Sequence, residues 1–188
     1  MNSNRLEFQS DKLREKNEYR HHRAATNSRR YGKKGMYKNM TRGFEIVTDN
    51  MRKFPGEEIM LPQRGTSKAM AYDLYANADY EVLPGKVAKV WTDVKAYMQD
   101  NECLILNVRS SMGGKFMLAN TSGWIDADYY SNSGNDGNIG VFLLNISDEV
   151  QTIKKGDKIA QGAFFTFLVA DNGNTEAERS GGFGSTGK

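Results

Sequence analysis

The sequence has one cysteine and two histidines among its 188 residues, and it contains no apolar run of membrane-spanning length. The lone Cys103 excludes an intramolecular disulfide, and the adjacent His21 and His22 have no partner at the spacing of a zinc site. The first ten residues lack the apolar core of a signal peptide. We therefore expect a cytoplasmic protein that does not enter a membrane.

No long hydrophobic pattern with the periodicity of a helix occurs after Arg42. The sequence there has short runs that are apolar or that alternate between apolar and polar residues. Such runs are typical of strands, and they cover Phe44–Val47, Lys86–Trp91, Cys103–Val108, Gly140–Ile146 and Ala163–Val169. Turn-forming residues such as Pro84–Gly85 and Lys154–Lys158 separate them at the spacing of a sandwich, jelly roll or barrel. The pattern predicts one all-β domain over residues 43–175.

Charge is spread unevenly along the chain. Residues 1–42 hold 12 Lys/Arg and 4 Asp/Glu and almost no aliphatic side chains, so they are predicted to form a basic, disordered arm. The remaining residues hold 14 Lys/Arg against 19 Asp/Glu. The arm could contact nucleic acid through phosphates, or it could be a solvated or vector-derived extension, and the composition fits both.

The chain ends in the segment GGFGSTGK, Gly181–Lys188, whose spacing resembles a phosphate-binding P-loop. A P-loop requires a hydroxyl residue after the lysine and a helix that starts there, so we do not expect one at this position. The glycines instead permit a flexible flap over residues 176–188, which could cover phosphates and a ring or could be an idle end.

The segment VRSSMGGK, Val108–Lys115, follows directly on a predicted strand. It puts Arg109 and the hydroxyls of Ser110 and Ser111 at a strand end beside a Gly-Gly turn, which suits the binding of phosphate. An ordinary surface turn with an exposed arginine has the same pattern.

The segment NTSGWIDADYY, Asn120–Tyr130, carries two carboxylates. Asp126 and Asp128 alternate with apolar residues, which predicts that both lie on one face of a strand. One of them could act as a base, although a solvated strand face would look the same. Asp73 and Gln161 are further polar residues inside strand-like runs.

Taken in order, five segments resemble the five motifs of the trimeric all-β deoxyuridine triphosphatases. They are AYDLYA (71–76), VRSSMGGK (108–115), NTSGWIDADYY (120–130), KIAQGAFF (158–165) and ERSGGFGSTGK (178–188). The long stretch Tyr130–Gly140 is similar to members from Gram-positive bacteria and their phages. The resemblance implies a homotrimer of jelly-roll-like distorted β-barrels with a C-terminal lid, and early strands at Phe44–Val47 and Glu58–Leu61.

The resemblance also implies an activity, the hydrolysis of dUTP to dUMP and pyrophosphate, which limits uracil in DNA and supplies dUMP for dTMP synthesis. By family analogy, Asp126 activates the water that attacks the α-phosphorus, Gln161 contacts water or phosphate, and Asp73 helps to organise the site. Magnesium is expected on the triphosphate through water, with no direct protein ligand, and Asp73 would act through an arginine or through the water shell of the metal.

Substrate contacts follow from the same resemblance. Asn120 matches the uracil-recognising position, on a hairpin whose main chain around Ile125 also contributes, and Tyr129 matches the aromatic packed on the deoxyribose. The remaining predicted contacts, mostly to phosphates, are Arg109, Ser110, Ser111, Arg179, Phe183, Gly184, Ser185 and Thr186. In the last motif of the family an arginine binds phosphate, and Glu178 occupies the usual position of that arginine. We therefore assign the phosphate-binding role to the next residue, Arg179.

Two alternatives remain open from the sequence. A dCTP deaminase shares this fold and the Arg-Ser-Ser sequence, but it relies on a glutamate in the third motif, where this chain has IDADY. A phage-type member could also act as a regulatory protein-binding module through Ser131–Asn138, although an inert surface loop is the favoured interpretation of that segment. A phage origin would place the protein in the cytoplasm of the bacterial host.

Overall fold

The computed structural model describes residues 41–173. Its strands are β1 (Gly43–Ile46), β2 (Gln63–Arg64), β3 (Tyr72–Tyr75), β4 (Tyr80–Val82), β5 (Val87–Trp91), β6 (Val94–Tyr97), β7 (Glu102–Asn107), β8 (Phe116–Leu118), β9 (Gly123–Asp126), β10 (Gly140–Asn145), β11 (Gln151–Ile153) and β12 (Lys158–Thr166). Three single 3-10 turns cover Asp49–Met51, Ser110–Met112 and Ala127–Tyr129. The all-β prediction is confirmed for this part of the chain, in which no helix could cross a membrane.

The strands form four sheets, all with antiparallel pairing. The largest has five strands in the order β2-β3-β12-β7-β9, and a second has three in the order β5-β10-β8. Two short pairs, β1-β6 and β11-β4, complete the arrangement. Many neighbours in these sheets are distant in sequence, which is the long-range pairing of a jelly-roll-like fold.

The core lies on one face of the five-stranded sheet. Leu74, Leu104, Leu106 and Ala160 point to this face and are buried with Val90 and other residues of the three-stranded sheet. Because side chains alternate along a strand, the residues between them emerge on the opposite face. That opposite face carries the polar residues of the candidate site.

Gly162 in β12 shows how tightly this core is packed. A Cβ atom at this position would lie 2.8 Å from Leu106 Cδ2 and 3.0 Å from Leu104 Cδ1. Only glycine fits between the two leucines without moving them. Gly162 directly follows Gln161, so the packing fixes the strand next to a predicted catalytic residue.

The early part of the chain differs in one respect from its prediction. Phe44–Val47 does contribute a strand, β1, but Glu58–Leu61 lies outside every strand. Met60 and Leu61 stay 45% and 39% exposed, so this segment has no buried face that a sheet could cover.

The two described residues of the predicted arm contact the domain. Arg42 forms an ion pair with Glu102 of β7, with its Nε 3.1 Å from both carboxylate oxygens, and Gln99 Nε2 donates to the Thr41 carbonyl at 3.0 Å. The Arg42 hydrogen bond, with a smaller contribution from the Gln99 amide, lowers the pKa of Glu102. The rest of the predicted arm, residues 1–40, lies outside the described residues.

Candidate active site

Asp73 is the centre of a charged cluster at one end of the five-stranded sheet. It lies in β3, and its side chain is only 9% exposed. One carboxylate oxygen pairs with Arg109 Nε at 2.9 Å, and the other pairs with Lys158 Nζ at 2.8 Å. Since a buried carboxylate is stable when cations satisfy both oxygens, Asp73 holds these two cations in place. We call Asp73, Arg109 and Lys158 the charged cluster.

Gln161 lies beside the charged cluster. In the sheet register it pairs with Asp73 of β3 on one side and with Asn107 of β7 on the other. Residues directly opposite each other in antiparallel strands project from the same face, so the three side chains form a row across the sheet. Gln161 is half-buried, which leaves part of its amide accessible beside Asp73.

A cleft of about 410 Å³ opens next to this row. Its lining includes the cationic side chains of Arg109, Lys115 and Lys158, the hydroxyl residue Ser111, and one acid, Asp157. The excess of positive charge suits a polyanion such as a chain of phosphates. Ser110 begins the 3-10 turn after Arg109 and is exposed.

Asn120 lies in the turn between β8 and β9 and is exposed. The next residue, Thr121, has a left-handed φ of 62°, which is strained for a β-branched side chain. Two contacts hold this turn, because Thr121 Oγ1 and the Ser122 amide both donate to the Asn120 carbonyl, at 2.6 and 2.7 Å. Backbone strain of this kind is found at ligand-binding turns, where it fixes a side chain in one position.

Asp126 is the last residue of β9 and is exposed. It pairs across the sheet with Cys103 of β7, which is buried. Burial raises the pKa of the Cys103 thiol, and the nearby charge of Asp126 raises it further. Ile125, one residue earlier, is half-buried and packs against the core.

The predicted shared face of Asp126 and Asp128 is wrong. The strand ends at Asp126, and the chain enters a 3-10 turn over Ala127–Tyr129 that contains Asp128. The alternation of a strand no longer applies after residue 126, so the two carboxylates belong to different elements.

Tyr129 closes that turn, with only 6% of its surface exposed. Its hydroxyl donates to the Asn138 carbonyl at 2.9 Å and accepts a hydrogen bond from Asn135 Nδ2 at 2.7 Å. The Tyr129 carbonyl accepts a further bond from Asn132 Nδ2 at 2.8 Å. The ring is therefore held by the segment that follows it.

That segment, Ser131–Asn138, is folded inward. Asn132, Gly137 and Asn138 are buried, and only Ser133 and Gly134 are exposed. Asp136 forms an ion pair at 2.9 Å with Lys95 of β6, and both side chains are largely buried, at 12% and 5% exposure. The segment is therefore packed against the domain, and only Ser133 and Gly134 are fully exposed.

The structure separates the predicted site residues into two groups. Gln161 pairs with Asn107 and Asp126 pairs with Cys103, so the two rows lie four residues apart along β7. At the rise of a β-strand this is about 13 Å. The charged cluster with Gln161 forms one end, and Asp126 with Tyr129 forms the other. Asn120 precedes β9, whose first residue Gly123 pairs with Leu106, so its turn lies toward the charged-cluster end of β7. The expected hairpin is not formed, because β8 pairs with β10 in a different sheet from β9.

Several predicted site residues lie outside the described part of the chain, and two residues near the site were not predicted. Outside it are Arg179, Phe183, Gly184, Ser185 and Thr186 of the predicted lid. The sequence interpretation overlooked Lys158 and Lys115, although both stand within motifs it had singled out, beside Gln161 and after the Gly-Gly turn. Within residues 41–173, no group of three His, Cys, Asp or Glu side chains could hold a metal ion.

Comparisons with known proteins agree on one family. A dUTPase family model matches residues 57–187. The chain is 41% identical over 150 residues to deoxyuridine 5'-triphosphate nucleotidohydrolase of Lactococcus lactis, covering 78% of this chain and 97% of that relative. The crystal structure of dUTPase from Streptococcus mutans superposes with a TM-score of 0.61 at 37% identity, covering 69% of this chain and 99% of that one.

A phage protein shares the fold at lower identity. The dUTPase of Staphylococcus bacteriophage 80alpha, described as controlling the transfer of virulence genes, superposes with a TM-score of 0.56 at 20% identity. The match covers 74% of this chain and 99% of the phage chain. At this identity the likeness concerns the fold alone.

Proposed function

The chain belongs to the dUTPase family and hydrolyses dUTP, and we propose that it does so at a site drawn from both ends of β7, releasing dUMP and pyrophosphate. The observation that supports this most strongly is the charged cluster, in which a buried Asp73 holds Arg109 and Lys158 beside a cationic cleft. An oriented set of cations is the main requirement for binding and stabilising transferring phosphates.

In the proposed reaction Asp126 is the general base. Its carboxylate takes a proton from a water molecule as that water attacks the α-phosphorus, and the bond to the leaving pyrophosphate breaks in line. Arg109, together with the hydroxyls of Ser110 and Ser111, binds the phosphates. Gln161 contacts the phosphate or the attacking water from its position beside Asp73.

The nucleoside half is assigned to the segment from Asn120 to Tyr129. The Asn120 amide has a donor and an acceptor for the edge of uracil, and the exposed turn leaves it accessible. The main chain near Ile125 adds contacts to the base. Tyr129 packs on the deoxyribose, where a 2'-hydroxyl would clash, and this excludes UTP.

Magnesium enters as part of the substrate. Both carboxylate oxygens of Asp73 already pair with cations, so Asp73 is poorly suited to bind a metal directly. The phosphate oxygens of dUTP are hard ligands that suit Mg²⁺, which keeps several waters when bound in this way. Asp73 then acts through Arg109 or through the water shell of the metal.

A homotrimer explains how the two ends of β7 serve one reaction. Within one chain they are about 13 Å apart, too far for Asp126 to serve a phosphorus held at the charged cluster. A heterologous three-fold contact would bring Asp126 and Tyr129 of one chain to the charged cluster of its neighbour. The predicted lid would then cover the site, with Phe183 on uracil and Arg179, Ser185 and Thr186 at the phosphates.

The activity is tested by incubating the protein with Mg²⁺ and each of dUTP, UTP and dCTP, and by measuring pyrophosphate and base products. We expect pyrophosphate from dUTP, much less from UTP, and no release of ammonia from dCTP. Deamination of dCTP without hydrolysis of dUTP would instead support the deaminase alternative.

Regulation and location are secondary parts of the proposal. A regulatory protein partner at Ser131–Asn138 would have to contact Ser133 and Gly134, because the other residues of the segment are partly or wholly buried. Binding of such a partner to the Asp126→Asn protein would separate regulation from turnover. We assign the protein to the cytoplasm, and the arm keeps the two interpretations that its composition allows, contact with nucleic acid or a solvated extension.

A further inference from the structure

We propose that the segment Ser131–Asn138, here called the asparagine clamp, positions Tyr129, and that Asn135 is a specificity-positioning residue for the 2'-deoxy sugar. This inference rests on the proposed role of Tyr129 in excluding UTP. It concerns residues that no motif of the sequence analysis includes, and it gives the inward-folded segment a function in the reaction.

The contacts of Asn135 carry the inference. Its Nδ2 donates to the Tyr129 hydroxyl at 2.7 Å, while its Oδ1 accepts from Asn132 Nδ2 at 2.8 Å and from the Gly137 amide at 3.1 Å. The side chain thus joins the phenol of Tyr129 to the backbone and side chains of the clamp. Asn138 completes the arrangement, because its backbone carbonyl accepts a hydrogen bond from the Tyr129 hydroxyl.

The backbone of the clamp has strained conformations next to Tyr129. Ser131 and Asp136 have left-handed φ values of 54° and 57°, and Gly137 has φ of 81°. A Cβ atom on Gly137 would lie 2.9 Å from the Tyr129 carbonyl oxygen, so the chain passes too close for any other residue. Strained backbone is retained where the surrounding structure holds it, which indicates that this position matters.

Buried polar contacts anchor the clamp to β6 and to the loop before it. Asn138 and Asp93 form a reciprocal pair, with Asn138 Nδ2 donating to Asp93 Oδ1 at 2.7 Å and the Asp93 amide donating to Asn138 Oδ1 at 3.1 Å. Asp136 accepts from Lys95 Nζ at 2.9 Å and from the Thr48 amide at 2.8 Å. The clamp is therefore a fixed support for Tyr129.

A fixed ring discriminates better than a mobile one. Exclusion of a 2'-hydroxyl needs the ring to stay within van der Waals distance of C2', and a small tilt would admit the extra oxygen. Loss of the Asn135 amide removes the hydrogen bond that it donates to the Tyr129 hydroxyl. We expect this to relax discrimination against UTP while leaving the charged cluster unchanged.

The experiment compares the UTP to dUTP ratio of kcat/KM in four proteins: wild type, Asn135→Ala, Tyr129→Phe and the double variant. Asn135→Ala should raise the ratio by about threefold to tenfold, as expected for one lost positioning hydrogen bond. In the Tyr129→Phe background, which has no hydroxyl to hold, Asn135→Ala should add no further increase. Asn135→Ser is measured in the same way if the alanine variant does not fold.

Asn145→Ala is the matched control for general destabilisation. Asn145 is fully buried, and its Nδ2 donates to the Val82 and Glu149 carbonyls, away from Tyr129. We expect it to lower Tm without changing the ratio. An unchanged ratio in Asn135→Ala, an equal increase in both Tyr129 backgrounds, or an increase in Asn145→Ala would overturn the inference. Absence of dUTP hydrolysis by the wild type would instead overturn the proposed function.

Discussion

The two ends of β7 hold their acids in opposite ways. At the charged cluster, Asp73 is buried and has a cation on each oxygen, whereas at the other end Asp126 is exposed at the end of β9. A buried carboxylate with a cation on each oxygen is suited to hold those cations in place, while a carboxylate exposed at a strand end is accessible to a substrate water. The difference supports the proposed roles, in which Asp73 positions cations and Asp126 acts as the base.

The interactions that hold the side chains in place also differ between the two ends of β7. Ion pairs hold the proposed phosphate-binding end, and neutral amide and phenol contacts hold Tyr129 at the proposed sugar-binding end. Charge is required where phosphates bind, and shape is required where one hydroxyl must be excluded. A substitution at one end should therefore change a different kinetic quantity from a substitution at the other.

The largest effect is expected from Asp126→Asn. It removes the proposed base and leaves the shape almost unchanged, so turnover should fall by at least about a hundredfold while calorimetry still detects dUTP binding. Asp128→Asn, in the adjacent 3-10 turn, is the control and should cost much less. Equal losses in both variants would contradict the assignment of the base.

Asp73→Asn should have the next largest effect. Without the negative charge, Arg109 and Lys158 repel each other and lose their fixed positions, so kcat/KM for dUTP should fall by about tenfold. Asp79→Asn removes a more exposed ion pair, with Lys154, and should change kcat/KM by less than about twofold. Similar kinetics for the two variants would mean that the charged cluster is not part of the site.

A smaller effect, on stability, is expected from Arg42→Ala. Arg42 lowers the folded-state pKa of Glu102 below its ordinary value of 4.5, so this stabilisation is present above the unfolded-state pKa and is lost as pH falls through the folded-state pKa. The variant should have a lower Tm than the wild type near pH 7, and the difference should shrink below about pH 4. Thermal melts over this pH range provide the measurement, and a constant difference would contradict the linkage.

The smallest effect is expected from removal of residues 1–40. The arm lies outside every motif, and its composition cannot build a core, so kcat/KM for dUTP should stay within about twofold of the full chain. Any affinity for nucleic acid should disappear with the arm. A large loss of activity would show that the arm contributes to the site.

Sequence reasoning reached the fold and proposed members of the site, but it could not show how those residues lie relative to one another. Motifs identify residue types, and they correctly led to Asp73, Gln161 and Asp126 as residues on strands of one domain. Register is a long-range property, so the 13 Å separation along β7 was not visible in the sequence. The end of β9 at Asp126 was missed for a local reason, because alternation of polar and apolar residues continues into the 3-10 turn.

The asparagine clamp was the least predictable part. Its composition of serine, asparagine and glycine is typical of an exposed loop, and hydrophobic patterning gives no signal for a segment buried through hydrogen bonds. The partners of the segment, Asp93 and Lys95, are about forty residues away in sequence. Such long-range hydrogen bonds and ion pairs can be identified only once the positions of the strands are known.

Complementation between two inactive variants tests the shared site most directly. Asp126→Asn chains are mixed with Arg109→Ala chains, refolded together, and assayed for pyrophosphate release from dUTP, with mixed trimers confirmed by native mass spectrometry. Each mixed trimer has one neighbour pair that combines an intact Asp126 with an intact Arg109, and about three quarters of random trimers are mixed, so about a quarter of wild-type activity should return. Activity no higher than that of the two separate variants, despite confirmed mixed trimers, would show that both ends of β7 act within one chain.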